Sequence, residues 1–363
     1  MSRRPRLLIA TNHFRDIAGS EVVALEWATH FHALGYEICL FANSAGRTMA
    51  KLAAERLGIT PTDDSSQIRP FTYDLVYAQH QVLPLFGYDE TAEDLQTTRI
   101  IIGRLSRRSF MESGGWAYER ALADAVFANS ALTAEHLLSV GVTTPITVFH
   151  NAAPNAFFRS HFDKPATPRR ITVVSNHLDP DVLGALEILK RSAQVQVFGG
   201  TATTSTLVCP EIIAATDLVI SIGKTVQYAL ASRTPVYVYG HFGGPGYLDP
   251  ENIERAHRFS FTGRCCERPL SAERLAQEIL DQYGKGVAFA RASTDRWLQT
   301  FRLEPYLEAA ATLPARSNDE KRSALKREKM IPQERLMAEH ARENYLAVER
   351  SAKLVHKFLV NSA

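Results

Sequence analysis

The sequence predicts an α/β protein of two successive doubly wound halves followed by a helical extension. Three observations predict it. Short, continuous apolar runs alternate with segments of helical spacing, which implies a parallel sheet covered on both faces. A stretch rich in Pro, Asn and basic residues with no period (151–170) interrupts the alternation once, as a linker does. Past Pro314 the composition becomes charged and poor in β-branched residues.

The first half opens with LLIATN (7–12), a buried strand by its apolar run. Val23, Trp27, Phe31 and Leu34 then mark one face of a helix, and Gly35 stands where a C-cap glycine belongs. EICLFAN (37–43), DLVYAQ (74–79), TRIIIGRL (98–105), DAVFANS (124–130) and ITVFHN (146–151) read as further strands, with helices near Ala50, Glu119 and Glu135. After the linker come RITVVSN (170–176), VQVFGG (195–200), DLVISIG (217–223) and PVYVYG (235–240), with helices between them. The predicted domains are therefore 1–155, a linker at 156–169, a second domain at 170–313, and a helical extension at 314–363. Ligands of such sheets bind outside the carboxyl ends of the strands.

Composition narrows the function classes. The chain has 363 residues, enough for two domains, with 45% hydrophobic and 22% charged content. A net charge of +2 is too balanced to argue for nucleic acid. No apolar run is long enough for a transmembrane helix. The apolar stretch behind the basic N-terminus is short and leads straight into a strand, so no signal peptide is expected. Cys39, Cys209, Cys265 and Cys266 lack zinc-like spacing and fit reduced thiols of a cytosolic protein.

The most informative stretch is GKTVQYALASRTPVYVYGHFGGPGYL (223–248). It places Gly223, Lys224 and Thr225 at a helix start, followed by a buried strand and a glycine-rich turn at Gly243, Gly244 and Gly246. Helix N-termini suit phosphate, and glycines let backbone approach a ligand closely. A nucleotide-diphosphate pocket follows as the expectation. The motif is not a full P-loop, because Leu218 stands where its first glycine would be.

With two α/β halves, a linker and a phosphate cradle in the second, the chain resembles a glycosyltransferase of the GT-B fold, a divergent relative of the bacterial sugar-nucleotide-dependent, retaining type. The segments carrying the resemblance are GSEVVALEWATHFHALGYEICLF (19–41), ERALADAVFANSALTAEHLLSVGV (119–142) and ITVFHNAAPNAFF (146–158), in that order and spacing. The resemblance implies two Rossmann-like domains facing a cleft, the first on the acceptor side and the second binding the nucleotide sugar. Two glutamates that many retaining members carry are replaced here by Ile220 and Tyr228. Their basic pair after the first strand of the second half is replaced by Ser175, Asn176 and His177.

Candidate residues follow. Gly19, His177, Gly223, Lys224, Thr225, Gly243 and Gly244 are expected at the donor, with Lys224 supplying positive charge. The bland alternatives are a solvent-facing lysine at Lys224 and turn glycines at Gly243 and Gly244. His80, at the end of a strand, is a candidate base near neutral pH, and Glu21 and Asp16 are further acid/base candidates. Arg104 and Arg107 are candidates for an anionic acceptor. Asp179 and Asp181 match a metal-binding pattern but precede an apolar helix, which fits an N-cap at Asp179 with Pro180 at N1. No metal and no cofactor are expected, since helix N-termini, basic groups and hydroxyls can stabilise the leaving diphosphate.

The expected function is transfer of a sugar from a nucleotide-diphosphate sugar to a glycan or lipid-linked acceptor, as in bacterial surface polysaccharide synthesis. The alternatives are a nucleotide-sugar epimerase of the same fold and a non-catalytic nucleotide- or carbohydrate-binding subunit. The expected location is cytoplasmic, with a peripheral position at the inner face of the membrane as the alternative. Leu336, His340, Tyr345, Val348, Ala352 and Val355 give the extension a rough apolar stripe. The extension reads first as a solvated helical appendage. Packing on the body, homo-oligomer formation, or a membrane contact through the basic run 321–329 are the other readings. In each, it is placed away from the chemistry.

Overall fold

Strand β1 (Arg6–Phe14) is apolar through its first half and polar from Thr11 to His13, and it lies one strand in from the edge of the first sheet. The computed structural model describes residues 3–107, 112–158, 164–199, 206–292 and 295–361. The final glycine of the expected strand 195–200, residues 159–163 of the expected linker, and the side chains of Ala352 and Val355 lie outside the described residues. The chain forms two compact units. One comprises Met1–Ala128, Thr133–Thr147 and Leu307–Ala363, the other Asn129–Leu132 and Val148–Tyr306.

In the first unit β1 is joined by β2 (Glu37–Ala45), β3 (Leu75–Gln79), β4 (Arg99–Arg104), β5 (Ala125–Ala128) and β6 (Ile146–Val148), in the order β2-β1-β3-β4-β5-β6. β1 pairs in parallel with β2 and β3, β3 with β4, and β4 with β5. The register sets Leu7 beside Ile38 and Leu75, so apolar residues stack across the sheet. Trp27, from the helix Gly19–Ala33, stacks on Tyr77 at 3.9 Å between ring centroids and meets Phe127 edge-on. This is the helical face that the spacing of Val23, Trp27 and Phe31 predicts.

In the second unit, β7 (Arg170–Val174), β8 (Gln194–Phe198), β9 (Leu218–Ser221), β10 (Val236–Gly240) and β11 (Gly243–Tyr247) form a sheet of order β11-β10-β9-β7-β8. Both faces are covered. One packs against the helices Pro210–Ala215, Lys224–Ala231 and Ile253–Arg258, the other against Pro180–Leu189 and Ala272–Asp281. The expected glycine-rich turn is corrected here: Gly243 to Tyr247 form an edge strand antiparallel to β10.

The helices after Leu307 pack on the first unit. Ala324, Leu325 and Ile331 lie against its core, and the long helix Ile331–Asn361 continues from there. The expectation of a solvated appendage gives way to a docked one, for polar reasons more than apolar ones. Lys321 and Asp124 are 0% and 2% exposed in their side chains and form an ion pair at 2.8 Å. Lys321 Nζ also donates to the carbonyls of Thr98 and Arg316. The run 321–329 thus begins with a buried lysine, which opposes its reading as a basic membrane-facing segment. The apolar stripe is corrected as well: Leu336 and Val348 are 65% and 68% exposed, whereas Ala338 is buried. Among the described residues, no helix is long and apolar enough to cross a membrane.

Removing one partner of a buried ion pair leaves the other charge uncompensated. Lys321→Ala is expected to lower unfolding stability by about 3 kcal/mol or more, read from the urea midpoint at constant m-value. A loss below about 0.5 kcal/mol would show that the pair does not anchor the tail.

Candidate functional site

The polar residues of the first unit gather at the carboxyl ends of β1, β2 and β3. Thr11 donates to Gln79 Oε1 at 3.0 Å, and Gln79 Nε2 donates to the Ser20 carbonyl at 3.1 Å. Asn43 donates to Asn12 Oδ1 at 2.7 Å. Among the described residues, the buried Asn43 Oδ1 has no hydrogen-bond partner. His80 follows β3 with φ of 62°, a left-handed conformation uncommon for a non-glycine residue. Its Nδ1 lies 3.3 Å from the backbone N–H of Asn12, which donates to it. The neutral ring therefore carries its proton on Nε2.

Burial pushes the His80 pKa down to about 3, with His13 and Arg104 adding to the shift. His80 is thus a neutral hydrogen-bond donor near pH 7, which corrects its reading as a base there. Glu21, buried in the first turn of Gly19–Ala33, accepts from Ser20 at 2.7 Å. Burial pushes its carboxyl up, and Asp16 adds to this. Asp16 itself is exposed. Gly19 lies in the open, where a Cβ would meet nothing within 4 Å.

Arg104 is not available to an acceptor. It is 2% exposed, donates twice to Glu119 Oε2 at 3.0 and 2.6 Å, bonds the Glu112 carbonyl, and lies over the Trp116 ring. Burial beside this cluster pushes the Glu112 carboxyl up to about 7. Arg107 is partly buried.

In the second unit the carboxyl edge carries Ser175 to His177, Asp179, Gly223 and His241. Gly223, with φ of 64°, leads into the helix Lys224–Ala231, and Thr225 is buried in its first turn. Lys224 departs from expectation. Its ammonium donates to the carbonyls of Ala152 at 2.9 Å and Asn151 at 3.3 Å and lies 5.2 Å from the Tyr228 ring centroid. Residues 150 and 151 both have positive φ, so the lysine braces a strained turn. His177 is exposed, in a tight turn where its N–H donates to Ser175 Oγ. Asp179 holds the N-cap position of Pro180–Leu189 in backbone geometry, but its side chain bonds His241 at 3.1 Å instead of capping. Among the described residues, no group of three His, Cys, Asp or Glu is placed to hold a metal ion.

Gly243 and Gly244 are glycines for packing reasons. A Cβ at Gly243 would sit 2.2 Å from the Arg268 carbonyl oxygen, and one at Gly244 1.9 Å from that of Val238. Their reading as a loop wrapped around the donor is corrected accordingly. Sequence reasoning missed Asn12, Asn43, Gln79 and the Asp179–His241 pair. The signal was present: three apolar strands of the first half each end on Asn or Gln.

Two outcomes test these assignments. Gly244→Ala is expected to cost about 2 kcal/mol or more in thermal or urea unfolding, because backbone, not a flexible side chain, blocks the new methyl. For His80, the folded pKa near 3 lies below the ordinary 6.5, so unfolded chains take up protons first as pH falls. The associated stability is full above about pH 6.5 and is lost progressively toward pH 3. His80→Asn, which tolerates the left-handed backbone, should flatten this decline by up to about 1.4 kcal/mol per pH unit. An unchanged slope would mean that His80 titrates normally.

Comparison with known proteins rests on structure alone, since no protein-family model and no curated protein sequence matches the chain. A glycosyltransferase from Rickettsia africae superposes with a TM-score of 0.51 at 14% identity, covering 90% of this chain and 100% of that one. A Listeria monocytogenes protein assigned as a UDP-N-acetylglucosamine 2-epimerase superposes with a TM-score of 0.50 at 14% identity, covering 85% and 96%. Each of the two units carries a mostly parallel sheet layered with helices, and the two neighbours together span nearly all of both. The chain has the GT-B fold.

Proposed function

We propose that this protein is a sugar-nucleotide-dependent glycosyltransferase acting on a glycan or lipid-linked acceptor. The observation that carries this reading is the GT-B fold over 90% of the chain, shared with a glycosyltransferase. The polar carboxyl edges of the two sheets support it, because ligands of such sheets bind there. In the reaction the bond between the sugar C1 and the diphosphate oxygen breaks. C1 bonds to the acceptor oxygen, the acceptor proton leaves to a basic group, and the nucleoside diphosphate departs.

On this reading the second unit takes the diphosphate at the first turn of Lys224–Ala231, where the helix N-terminus and the Thr225 hydroxyl lie beyond Gly223, whose own N–H donates to the Phe261 carbonyl, with His177 on the same edge. Lys224 acts there by bracing the turn at 151–152. In the first unit neutral His80 offers its Nε2 proton as a hydrogen-bond donor at the carboxyl edge. Glu21, its pKa raised by burial, suits proton transfer better than an ordinary carboxylate, with Asp16 and Arg107 toward the acceptor. The transfer is proposed to run without a metal ion. The epimerase neighbour supports one second reading, acceptor-independent inversion at a carbon of the donor sugar.

A panel of nucleoside diphosphates and sugar nucleotides in a thermal-unfolding assay tests the proposal. At about 100 Kd a true ligand adds about 2.7 kcal/mol, several degrees in Tm for a protein of this size. No shift with any of them would count against every enzymatic reading. Turnover should persist in excess chelator; loss of activity restored by Mg²⁺ or Mn²⁺ would establish a metal requirement. Product formation without an acceptor would favour the epimerase.

A further inference from the structure

The C-terminal helix reaches the polar edge of the first unit. Tyr345 Oη lies 2.5 Å from Nε2 of His13, and the two rings meet edge-on with centroids 4.4 Å apart. His13 stands at the end of β1, opposite Ser44 in β2, one residue from Asn12 and within the electrostatic reach of His80. Glu21 acts on the Tyr345 phenol in turn, which burial already pushes up. The helix is held in place along its length. Glu334 accepts from the backbone N–H of Ala117, Arg335 donates to the Phe86 carbonyl at 2.8 Å, and Arg342 donates to Ser65 Oγ at 3.0 Å. Asn43, the neighbour of Ser44 in β2, has a buried Oδ1 with no hydrogen-bond partner among the described residues.

We propose that Tyr345 is a positioning residue of this site. Its hydroxyl, on Nε2, fixes the tautomer and ring orientation of His13, and the C-terminal helix thereby belongs to the catalytic edge instead of serving assembly alone. A hydrogen bond on one ring nitrogen decides what the other presents, so the phenol governs how His13 meets a bound group. The proposal rests on the glycosyl-transfer reading for its catalytic part and on geometry alone for its structural part.

The test uses the full chain with labelled histidine and the variant Tyr345→Phe, which keeps the ring and removes only the hydroxyl. Long-range proton–nitrogen spectra are expected to show the His13 ring nitrogens moving while those of His80 hold still. With the sugar nucleotide that stabilises the protein most, kcat should fall about tenfold or more while KM stays within about twofold. Met337→Ala, on the exposed side of the same helix, should leave both readouts at wild-type values. Unmoved His13 nitrogens, or an unchanged kcat beside moved ones, would overturn the proposal. If the wild-type protein turns over no sugar nucleotide, the glycosyl-transfer reading fails, and the histidine spectrum alone then decides whether Tyr345 sets His13.

Discussion

The arrangement of the first unit depends on one buried ion pair. Asp124 sits just before β5, where its two oxygens accept from the backbone N–H groups of Ile100 and Arg316. Lys321 brings the compensating charge from a point nearly two hundred residues later in the chain. Neither group tolerates burial alone, so the pair can form only if the tail returns to the sheet. With Lys321 in place, Asn318 bonds Thr98 and the Leu95 carbonyl, and Ser317 and Glu320 close a capping box. The next helix then starts in a fixed direction. It delivers Glu334 to the N-terminus of Trp116–Leu122, whose own N-cap is a glycine without a side chain to offer. Further along it delivers Tyr345 to His13.

This dependence explains which parts of the molecule were legible in the sequence. The parallel strands announce themselves by continuous apolar runs, and Trp27 by helical spacing, because these signals are local. The docking of the tail is not local. Lys321 reads as one basic residue in a charged run until Asp124 is known to lie beside it. The exposure of Leu336 and the burial of Ala338 likewise follow from the polar anchors at Glu334, Arg335 and Arg342, which fix the helix's rotation against its apolar stripe.

The glycines show the same limit from another side. Gly223 and Gly243 both have positive φ, and both sit next to residues that look like a phosphate cradle. Around Gly223 there is open space, so its conformation is a matter of the turn alone. Gly243 and Gly244 are pressed against the carbonyls of Arg268 and Val238, so their lack of side chains serves an edge strand. A sequence shows where glycine is used but not whether a ligand or a neighbouring backbone occupies the space it leaves.

The charge distribution at the two carboxyl edges bears on how a leaving diphosphate would be stabilised. His80 is held neutral by burial, Arg104 is enclosed by Glu119 and Glu112, and Lys224 is engaged by backbone carbonyls. These three groups already have structural tasks. What the second unit keeps at the start of Lys224–Ala231 is the partial positive charge of aligned peptide dipoles, which needs no side chain and cannot be lost by deprotonation.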